Sequence, residues 1–330
     1  MTMISYTRFG PAAEVLELRE QEQTEPGAGE VVVLLRYSGI NPSDVKARAG
    51  TRPGVTAPPF PCIIPHSDGA GIVSAVGAGV DPDRIGQRVW VWNGQWQRPF
   101  GTAAREICLP EAQAVPLPDA ASLQTGATLG IPGLTAAHTV FGGGDVAGQT
   151  VLVQGGGGSV GYLAVQLALW GGARVITTAR GAGAKRCAAA GAHTVLDYAA
   201  LDLAGAILAA NDGAPVDRIV EVEYGLNAIT DAEVIKPNGT ICAYGSAGNM
   251  QPVLPFGPML FKAVTLDIVL IYILADGPRS AAIDRLHDAL NAGALQSPIG
   301  QIFPLADCAL AHEAVERGGR SGATLLEIPE

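Results

Sequence analysis

The sequence predicts an α/β protein of two domains, one mostly β and one built on a doubly wound parallel sheet. Three observations lead to this prediction. The 330 residues suit about two domains of ordinary size. The first third is rich in turns and β-branched runs. From residue 150 onwards, strand-like and helix-like segments alternate, which is typical of right-handed βαβ units.

The first third is predicted to form strands joined by long loops. The runs Val31–Tyr37 and Gly69–Val76 are β-branched and bounded by glycine or proline, as strands are. Prolines stand at positions 42, 53, 58, 59, 61 and 65. Because proline breaks a helix interior, we expect no helix through this stretch.

The second part alternates strands with helices. A helical segment, 120–140, has Ser122 as its expected cap. The predicted strands are Thr150–Gln154, Ala173–Thr178, Thr194–Asp197, Val216–Val222, Thr240–Tyr244 and the long run Val264–Leu274. The helices between them are Tyr162–Trp170, Ala182–Ala190, Leu201–Ala210 and Leu226–Ile235. The sequence therefore predicts a parallel-sheet domain over residues 122–275.

The C-terminal tail does not continue this series. It contains two predicted helices, Pro278–Ala292 and Leu305–Arg317, and a closing strand, Ala323–Ile328. We expect the tail to return to the first domain, which then comprises residues 1–121 and 276–330.

Composition excludes several function classes. The net charge is −10 and no block of Lys or Arg occurs, so neither nucleic acid nor an anionic membrane is expected as a partner. The most hydrophobic window, Ile268–Ala275, is far shorter than the ~20 residues of a membrane span. With no signal-peptide core at the N-terminus, we expect a cytoplasmic protein.

The cysteines and histidines are interpreted as structural. The five cysteines are scattered and form no CxxC pair, so neither a disulfide framework nor a zinc knuckle is predicted. Four histidines are interpreted as isolated, with no cysteine or carboxylate at ligand spacing: His138, His193, His287 and His312.

A glycine-rich loop carries the first chemical signal. Residues Gly156–Gly161 match GxGxxG, with a predicted strand before them and a predicted helix after them. In this context, glycine lets a pyrophosphate approach the backbone, and the helix N-terminus attracts its charge. The predicted cofactor-binding residues of the loop are Gly155, Gly156, Gly158, Ser159, Val160 and Gly161.

The end of the second strand indicates which dinucleotide binds. NAD sites place an acid there to hold the ribose, whereas this strand ends Thr178-Ala179-Arg180 with Lys185 nearby. A cation can pair with a 2′-phosphate, so NADPH is favoured over NADH. Arg180 is the better candidate, because Lys185 also fits an ordinary solvated helix face.

Further motifs give a resemblance to a known family. They are Gly39-Ile-Asn-Pro-Ser-Asp44, Pro65-His-Ser-Asp-Gly-Ala-Gly71, Gly133-Leu-Thr-Ala136, the glycine loop, and Pro237-Asn-Gly-Thr240 leading to Gly245. With them the chain resembles the zinc-independent medium-chain dehydrogenases/reductases, and among these the NADPH:quinone oxidoreductase (zeta-crystallin-like) family. The resemblance implies a GroES-like catalytic domain, a Rossmann domain that binds NADPH, and a homodimer.

The same motifs indicate whether a catalytic metal binds. The positions that match the zinc ligands of related alcohol dehydrogenases are Asn41, Ser67 and Ile131, and His66 lies one residue early. A catalytic zinc needs three protein ligands, so no catalytic metal is expected. Without a Lewis acid, a quinone or another conjugated carbonyl suits hydride transfer better than a simple ketone.

The resemblance also implies residue roles. Asn41 and Thr135 are expected near the nicotinamide and substrate, and Ser43 is either a proton donor or a turn hydroxyl. Thr178, Tyr198 and Gly245 are expected at the cofactor, as is one of Arg317 and Arg320. Two alternative functions stay open, an enone or enoyl-thioester double-bond reductase and a non-catalytic NADPH-binding protein.

Overall fold

The computed structural model describes residues 2–20, 22–52 and 54–329. Contacts divide the chain into two units, residues 1–131 with 297–330, and residues 132–296. The units therefore join at 131/132 and 296/297 rather than at the expected 121/122 and 275/276. Pro53, one of the prolines used in the helix prediction, lies outside the described residues.

Strands and helices alternate along most of the described chain. The strands are β1 Thr2–Ser5, β2 Glu17–Glu20, β3 Glu30–Ile40, β4 Asp68–Val76, β5 Arg88–Val91, β6 Glu106–Pro110, β7 Ala114–Pro116, β8 Thr150–Val153, β9 Arg174–Thr178, β10 Thr194–Leu196, β11 Val216–Glu221, β12 Ile235–Ala243, β13 Thr265–Ile268, β14 Ile299–Pro304 and β15 Ala323–Glu327. The helices are α1 Ala12–Val15, α2 Pro42–Ala49, α3 Leu123–Gly126, α4 Leu134–Phe141, α5 Ser159–Trp170, α6 Gly181–Ala189, α7 Leu203–Ala210, α8 Tyr224–Val234, α9 Phe256–Phe261, α10 Asp276–Asn291 and α11 Cys308–Arg317.

The first unit is built on a mainly antiparallel sheet. Its strand order is β14-β15-β3-β4-β5-β7, with β6 also paired to β3, and only β14 and β15 run parallel. Alternate residues of β3, Val31, Val33 and Leu35, enter the same buried cluster as Cys308 of α11, as the period-2 geometry of a strand requires. The expected mostly-β domain is confirmed, and the last strands return to it.

The second unit contains an entirely parallel six-stranded sheet in the order β10-β9-β8-β11-β12-β13. Counted from β8, this is the order 3-2-1-4-5-6 of a doubly wound dinucleotide-binding sheet. The central strand β8 is buried along its whole length, because helices cover both faces of such a sheet. The predicted α/β class is confirmed.

Three local predictions were wrong. Pro42 does not prevent a helix but begins α2, because the first helical position has no N–H partner to lose. The run Val264–Leu274 is a strand only over Thr265–Ile268 and then forms a 3₁₀ turn, Ile271–Ile273. Helix α10 lies in the second unit rather than returning to the first.

Two further expectations concern the cap of α3 and membrane-spanning helices. The side chain of Ser122 accepts a hydrogen bond from the Thr125 N–H, so the predicted cap is confirmed. Among the described residues, no helix is both long and apolar enough to cross a membrane.

Candidate functional site

The glycine loop lies between β8 and α5, where the sequence predicted it. Gly155 has φ +69°, a left-handed conformation that glycine adopts without strain. A Cβ on Gly161 would lie 2.3 Å from the Gly155 carbonyl oxygen, and one on Gly156 would lie 2.1 Å from the Thr177 hydroxyl oxygen. The loop therefore needs glycine at these positions in order to close against its own backbone and the sheet.

Helix α5 begins directly at this loop. Its N-cap is Gly158, and Tyr162 donates the first intrahelical hydrogen bond, to the Gly158 carbonyl at 2.9 Å. The N–H groups of Ser159, Val160 and Gly161 precede that bond and have no carbonyl one turn earlier to bind. Such N–H groups, together with the helix dipole, are the kind of arrangement that attracts an anion such as a pyrophosphate.

Thr178 supports the loop from beneath. Its hydroxyl accepts a hydrogen bond from the Gly155 N–H at 2.9 Å and donates one to Gln154 Oε1 at 2.8 Å. Its carbonyl accepts from the Gly156 N–H at 2.9 Å. The side chain is buried, so the geometry gives Thr178 a supporting position rather than an exposed face for a ligand. Gln154 was missed by sequence reasoning, since an amide next to the loop has no pattern of its own.

Arg180 ends the second strand of the sheet and caps α6. Its guanidinium is half exposed, lies 3.1 Å from Asp197 Oδ1 and sits 5.5 Å from the centre of the Tyr198 ring. Two predicted cofactor residues, Arg180 and Tyr198, are therefore neighbours. Asp197 was missed, because it follows the third strand rather than the second. An exposed ion pair of this kind contributes only about 0–1 kcal/mol, so a 2′-phosphate can compete for the arginine.

The remaining predicted cofactor residues occupy separate places in the second unit. Lys185 is exposed on α6, as expected for a residue on an ordinary solvated helix face. Its neighbour Arg186 instead donates to the Gly157 carbonyl at 2.8 Å and so holds the glycine loop. Gly245 follows β12, where a Cβ would lie 2.4 Å from the Val222 carbonyl oxygen.

In the first unit, Asn41 directly follows β3 and is the N-cap of α2. Its N–H donates to Asp44 Oδ2 at 2.8 Å, and its side-chain Nδ2 donates to Asp68 Oδ2 at 2.8 Å. The antiparallel register places Gly39 opposite Asp68, which brings the two side chains together. Burial raises the pKa of Asp44 to about 7 and raises the pKa of Asp68 well above its ordinary value. Asp68 fixes the Asn41 amide, a role that the sequence did not indicate.

The contacts of the remaining predicted residues do not assign them a role. Ser43 is half-buried in α2, and its carbonyl accepts from Arg52 at 3.1 Å. Thr135 is buried in α4 of the second unit. Of the two C-terminal arginines, Arg317 is exposed and Arg320 is half-buried, and burial lowers the pKa of Arg320.

The described residues bring one set of three metal-ligating side chains together, His66, Cys308 and His312. The interpretation of His312 as isolated was therefore wrong, because Cys308 lies four residues earlier on the same helix. None of the three is Asn41, Ser67 or Ile131. An amide, a hydroxyl and an alkyl side chain do not form a zinc donor set, so the residues at the matching positions do not fit a catalytic zinc.

Together, the parallel sheet and the loop define a dinucleotide-binding unit joined to a β-rich unit. Residues 27–119 match the family model "Alcohol dehydrogenase GroES-like domain", and residues 190–326 match "Zinc-binding dehydrogenase". Among curated proteins, the quinone oxidoreductase of Pseudomonas aeruginosa is 30% identical over 330 residues, covering 98% of each chain. The chain thus belongs to the quinone oxidoreductase family of the medium-chain dehydrogenases/reductases.

Solved structures agree on the fold and differ in cofactor. A mycobacterial protein solved in complex with NADPH superposes with a TM-score of 0.83, at 27% identity and covering 99% of both chains. An NAD-dependent alcohol dehydrogenase superposes with a TM-score of 0.87, at 27% identity and covering 100% of both chains. The fold by itself therefore does not distinguish the two nucleotides.

Proposed function

We propose that this chain is an NADPH-dependent reductase that transfers hydride to a quinone without a catalytic metal. The observation that carries the proposal is a cationic rather than acidic residue, Arg180, at the end of the second strand of a dinucleotide-binding sheet. Membership of the quinone oxidoreductase family supports the acceptor class.

The residues around the glycine loop fit NADPH. The free N–H groups of Ser159, Val160 and Gly161 would hold the pyrophosphate, and Arg180 would pair with the 2′-phosphate. Tyr198 would lie on the adenosine side, next to the arginine. When bound, NADPH supplies the hydride.

The residues at the proposed acceptor site act by orientation and hydrogen bonding. Asn41 is held by Asp68 through one side-chain N–H, and we propose that the amide so fixed lies next to the acceptor. Reduction of a quinone places negative charge on an oxygen that a fixed amide can stabilise. Ser43 is proposed to contribute a hydroxyl group in the first unit, and Thr135 a hydroxyl near the nicotinamide in the second. Because the conjugated acceptor spreads its own charge, these groups replace the polarising metal ion of related alcohol dehydrogenases.

A homodimer is part of the proposal. Strand β13 is hydrogen-bonded within the sheet to β12 and ends the strand order. Around it, Ile268 is 77% exposed, Ile273 65% and Phe261 90%. An apolar sheet edge invites pairing with another chain, so we place a two-fold interface here. Five free cysteines suit the reducing cytoplasm, where we expect the enzyme to act.

The test is rapid mixing of the protein with NADPH and 1,4-benzoquinone or 9,10-phenanthrenequinone, followed by nicotinamide absorbance. We expect quinone-dependent oxidation of NADPH that persists after exhaustive chelation. Activity that chelators abolish would contradict the metal-free site.

The acceptor class is tested separately. Comparison of kcat/KM for quinones, simple enones and enoyl-CoA thioesters distinguishes the quinone reductase from a double-bond reductase. NADPH binding without turnover of any of these acceptors would favour a non-catalytic role.

A further inference from the structure

Three potential ligand side chains, none of them assigned to catalysis, meet in the interior of the first unit. His66 and His312 are 0% exposed, and so is Cys308. One ligand atom from each lies within 4.8 Å of the other two. Polar groups of this kind are costly inside a core of valine and leucine unless they have partners, so their convergence calls for a physical reason.

The backbone brings them together in two ways. Cys308 and His312 are four residues apart on α11 and so share one face of the helix, the face that packs on the sheet of the first unit. His66 reaches the same point from a left-handed conformation, φ +77°. That conformation is uncommon for a residue with a Cβ and costs about 1–3 kcal/mol. The strain is retained at the residue whose imidazole completes the group.

A hydrogen-bond chain fixes the tautomer of His66. Thr102 donates its hydroxyl proton to the Asp68 carbonyl at 2.5 Å, so at 2.7 Å the Ser38 hydroxyl must donate to Thr102. Ser38 Oγ then accepts from His66 Nδ1 at 2.8 Å. A neutral imidazole protonated at Nδ1 presents a lone pair at Nε2. An oxygen partner on the second ring nitrogen is what a metal-ligating histidine ordinarily has.

The lone pair of His66 points at His312. The two Nε2 atoms are 2.8 Å apart, so His312 Nε2–H must donate to His66. His312 Nδ1 is then an acceptor, and it is a buried atom with no hydrogen-bond partner. A buried acceptor left without a partner costs about 1–3 kcal/mol. This hydrogen-bond pattern leaves His312 Nδ1 unsatisfied.

We propose that His66, Cys308 and His312 bind a single soft monovalent cation, Cu(I). Thiolate and imidazole are ligands that copper accepts. One thiolate and two neutral imidazoles carry one negative charge, so Cu(I) makes the buried site neutral. A Zn²⁺ ion would leave a net positive charge in a dry interior, which is costly, and the cluster offers three of the four ligands of a structural zinc.

Binding replaces the thiol proton of Cys308 by Cu(I) and involves no electron transfer. The Cys308 S–H bond breaks, an S–Cu bond forms, and that proton leaves to the buffer. The proton on His312 Nε2 moves to Nδ1, so that the Nε2 atoms of both histidines offer lone pairs to the ion. Three atoms at metal–ligand distances of about 2.0–2.3 Å from one ion lie about 3–4 Å apart. The two histidine rings must therefore separate slightly and the sulfur must approach, each by about 1 Å or less. Burial raises the pKa of the Cys308 thiol, and the positive charge of Arg48 opposes this only in part, so it is the bond to Cu(I) that must displace the proton.

The test is anaerobic titration of the reduced, full-length protein with Cu(I) as its acetonitrile complex, against bathocuproine disulfonate as competing chelator. We expect one equivalent to resist the chelator, and X-ray absorption of that equivalent to show one sulfur and two nitrogen neighbours. Cys308→Ser and His312→Gln should each weaken binding at least 100-fold, while Cys62→Ser, which changes a partly exposed thiol, should leave it unchanged. His287→Gln is the matched histidine control in the second unit.

A second measurement covers variants that fold poorly. Cu(I) should raise the Tm of the wild type and of both control variants, and should not raise that of His66→Gly, which also relieves the left-handed strain at this position. Equal copper binding by Cys308→Ser, or an all-sulfur X-ray absorption spectrum, would overturn the site. Preferential retention of one Zn²⁺ by the same three residues would overturn its assignment to a monovalent ion.

Discussion

The two polar regions of this protein are assembled in opposite ways. The nucleotide site of the second unit is built from contiguous chain, because Gly155 to Gly161 and the start of α5 supply its donors from the backbone. The polar interior of the first unit joins side chains distant in sequence, Asn41 with Asp68 and His66 with His312. Backbone donors do not depend on which side chains the loop carries, but they do not tolerate added atoms in the loop. A site built from paired side chains loses its geometry when either member of a pair is replaced.

Gly161→Ala should have the largest effect. Its Cβ would lie 2.3 Å from the Gly155 carbonyl, and overpacking of this kind costs about 1–3 kcal/mol, so NADPH affinity should fall about 10- to 100-fold. Fluorescence titration with NADPH measures the change. Gly277→Ala is the matched control, because a Cβ there meets nothing within 4 Å. Unchanged affinity in Gly161→Ala would show that the loop opens without cost.

Arg180→Ala tests the proposed role of Arg180 in the choice of nucleotide. Loss of a charge-assisted contact to the 2′-phosphate costs about 1.5–3 kcal/mol, so KM for NADPH should rise about 10- to 100-fold while KM for NADH stays constant. Arg174→Ala is the control, since Arg174 is also exposed and paired with an aspartate, Asp212 at 3.3 Å. An equal rise for both nucleotides would remove Arg180 from 2′-phosphate recognition.

Asp68→Ala tests the side-chain site. Without its acceptor the Asn41 amide can rotate, and loss of one hydrogen bond that orients it should lower kcat about 10-fold with no change in NADPH affinity. Asp68→Asn retains an oxygen acceptor and should keep most of the rate. Steady-state kinetics and nucleotide titration give the two quantities. If Asp68→Asn loses as much rate as Asp68→Ala, charge rather than orientation matters at this position.

A pH dependence of stability, rather than of nucleotide binding or rate, is expected from Asp44. Burial raises the pKa of Asp44 to about 7, so the folded protein binds a proton that the unfolded chain has released. This contribution is complete below about pH 4 and is lost as pH rises towards 7. Relative to Asp44→Asn, the wild type should therefore lose at most about 1.4 kcal/mol of unfolding free energy per pH unit over that range.

Urea unfolding of both proteins between pH 4 and 8 measures this difference. Asp212→Asn, which changes an exposed aspartate, should run parallel to the wild type at every pH. A difference between Asp44→Asn and the wild type that does not vary with pH would contradict a raised Asp44 pKa.

The elements of the second unit were predictable because their signals are local. Strand, glycine loop and helix follow one another within residues 150–170, and the βαβ alternation dictates a parallel sheet. Arg180 was found at its strand end by counting from the loop. The prediction for Val264–Leu274 failed because hydrophobicity alone does not distinguish an edge strand from an apolar turn.

The sequence by itself determined the α/β class, the nucleotide loop and the lack of zinc ligands at Asn41 and its matching positions, since each follows from residue types at short spacing. Only the tertiary structure decided that Asp68 holds Asn41, that Asp197 meets Arg180, and that His66 reaches His312. Those pairs depend on strand register and on one left-handed residue. A one-residue slip in register would have moved every side chain to the other face, and nothing in the local pattern fixes such long-range partners.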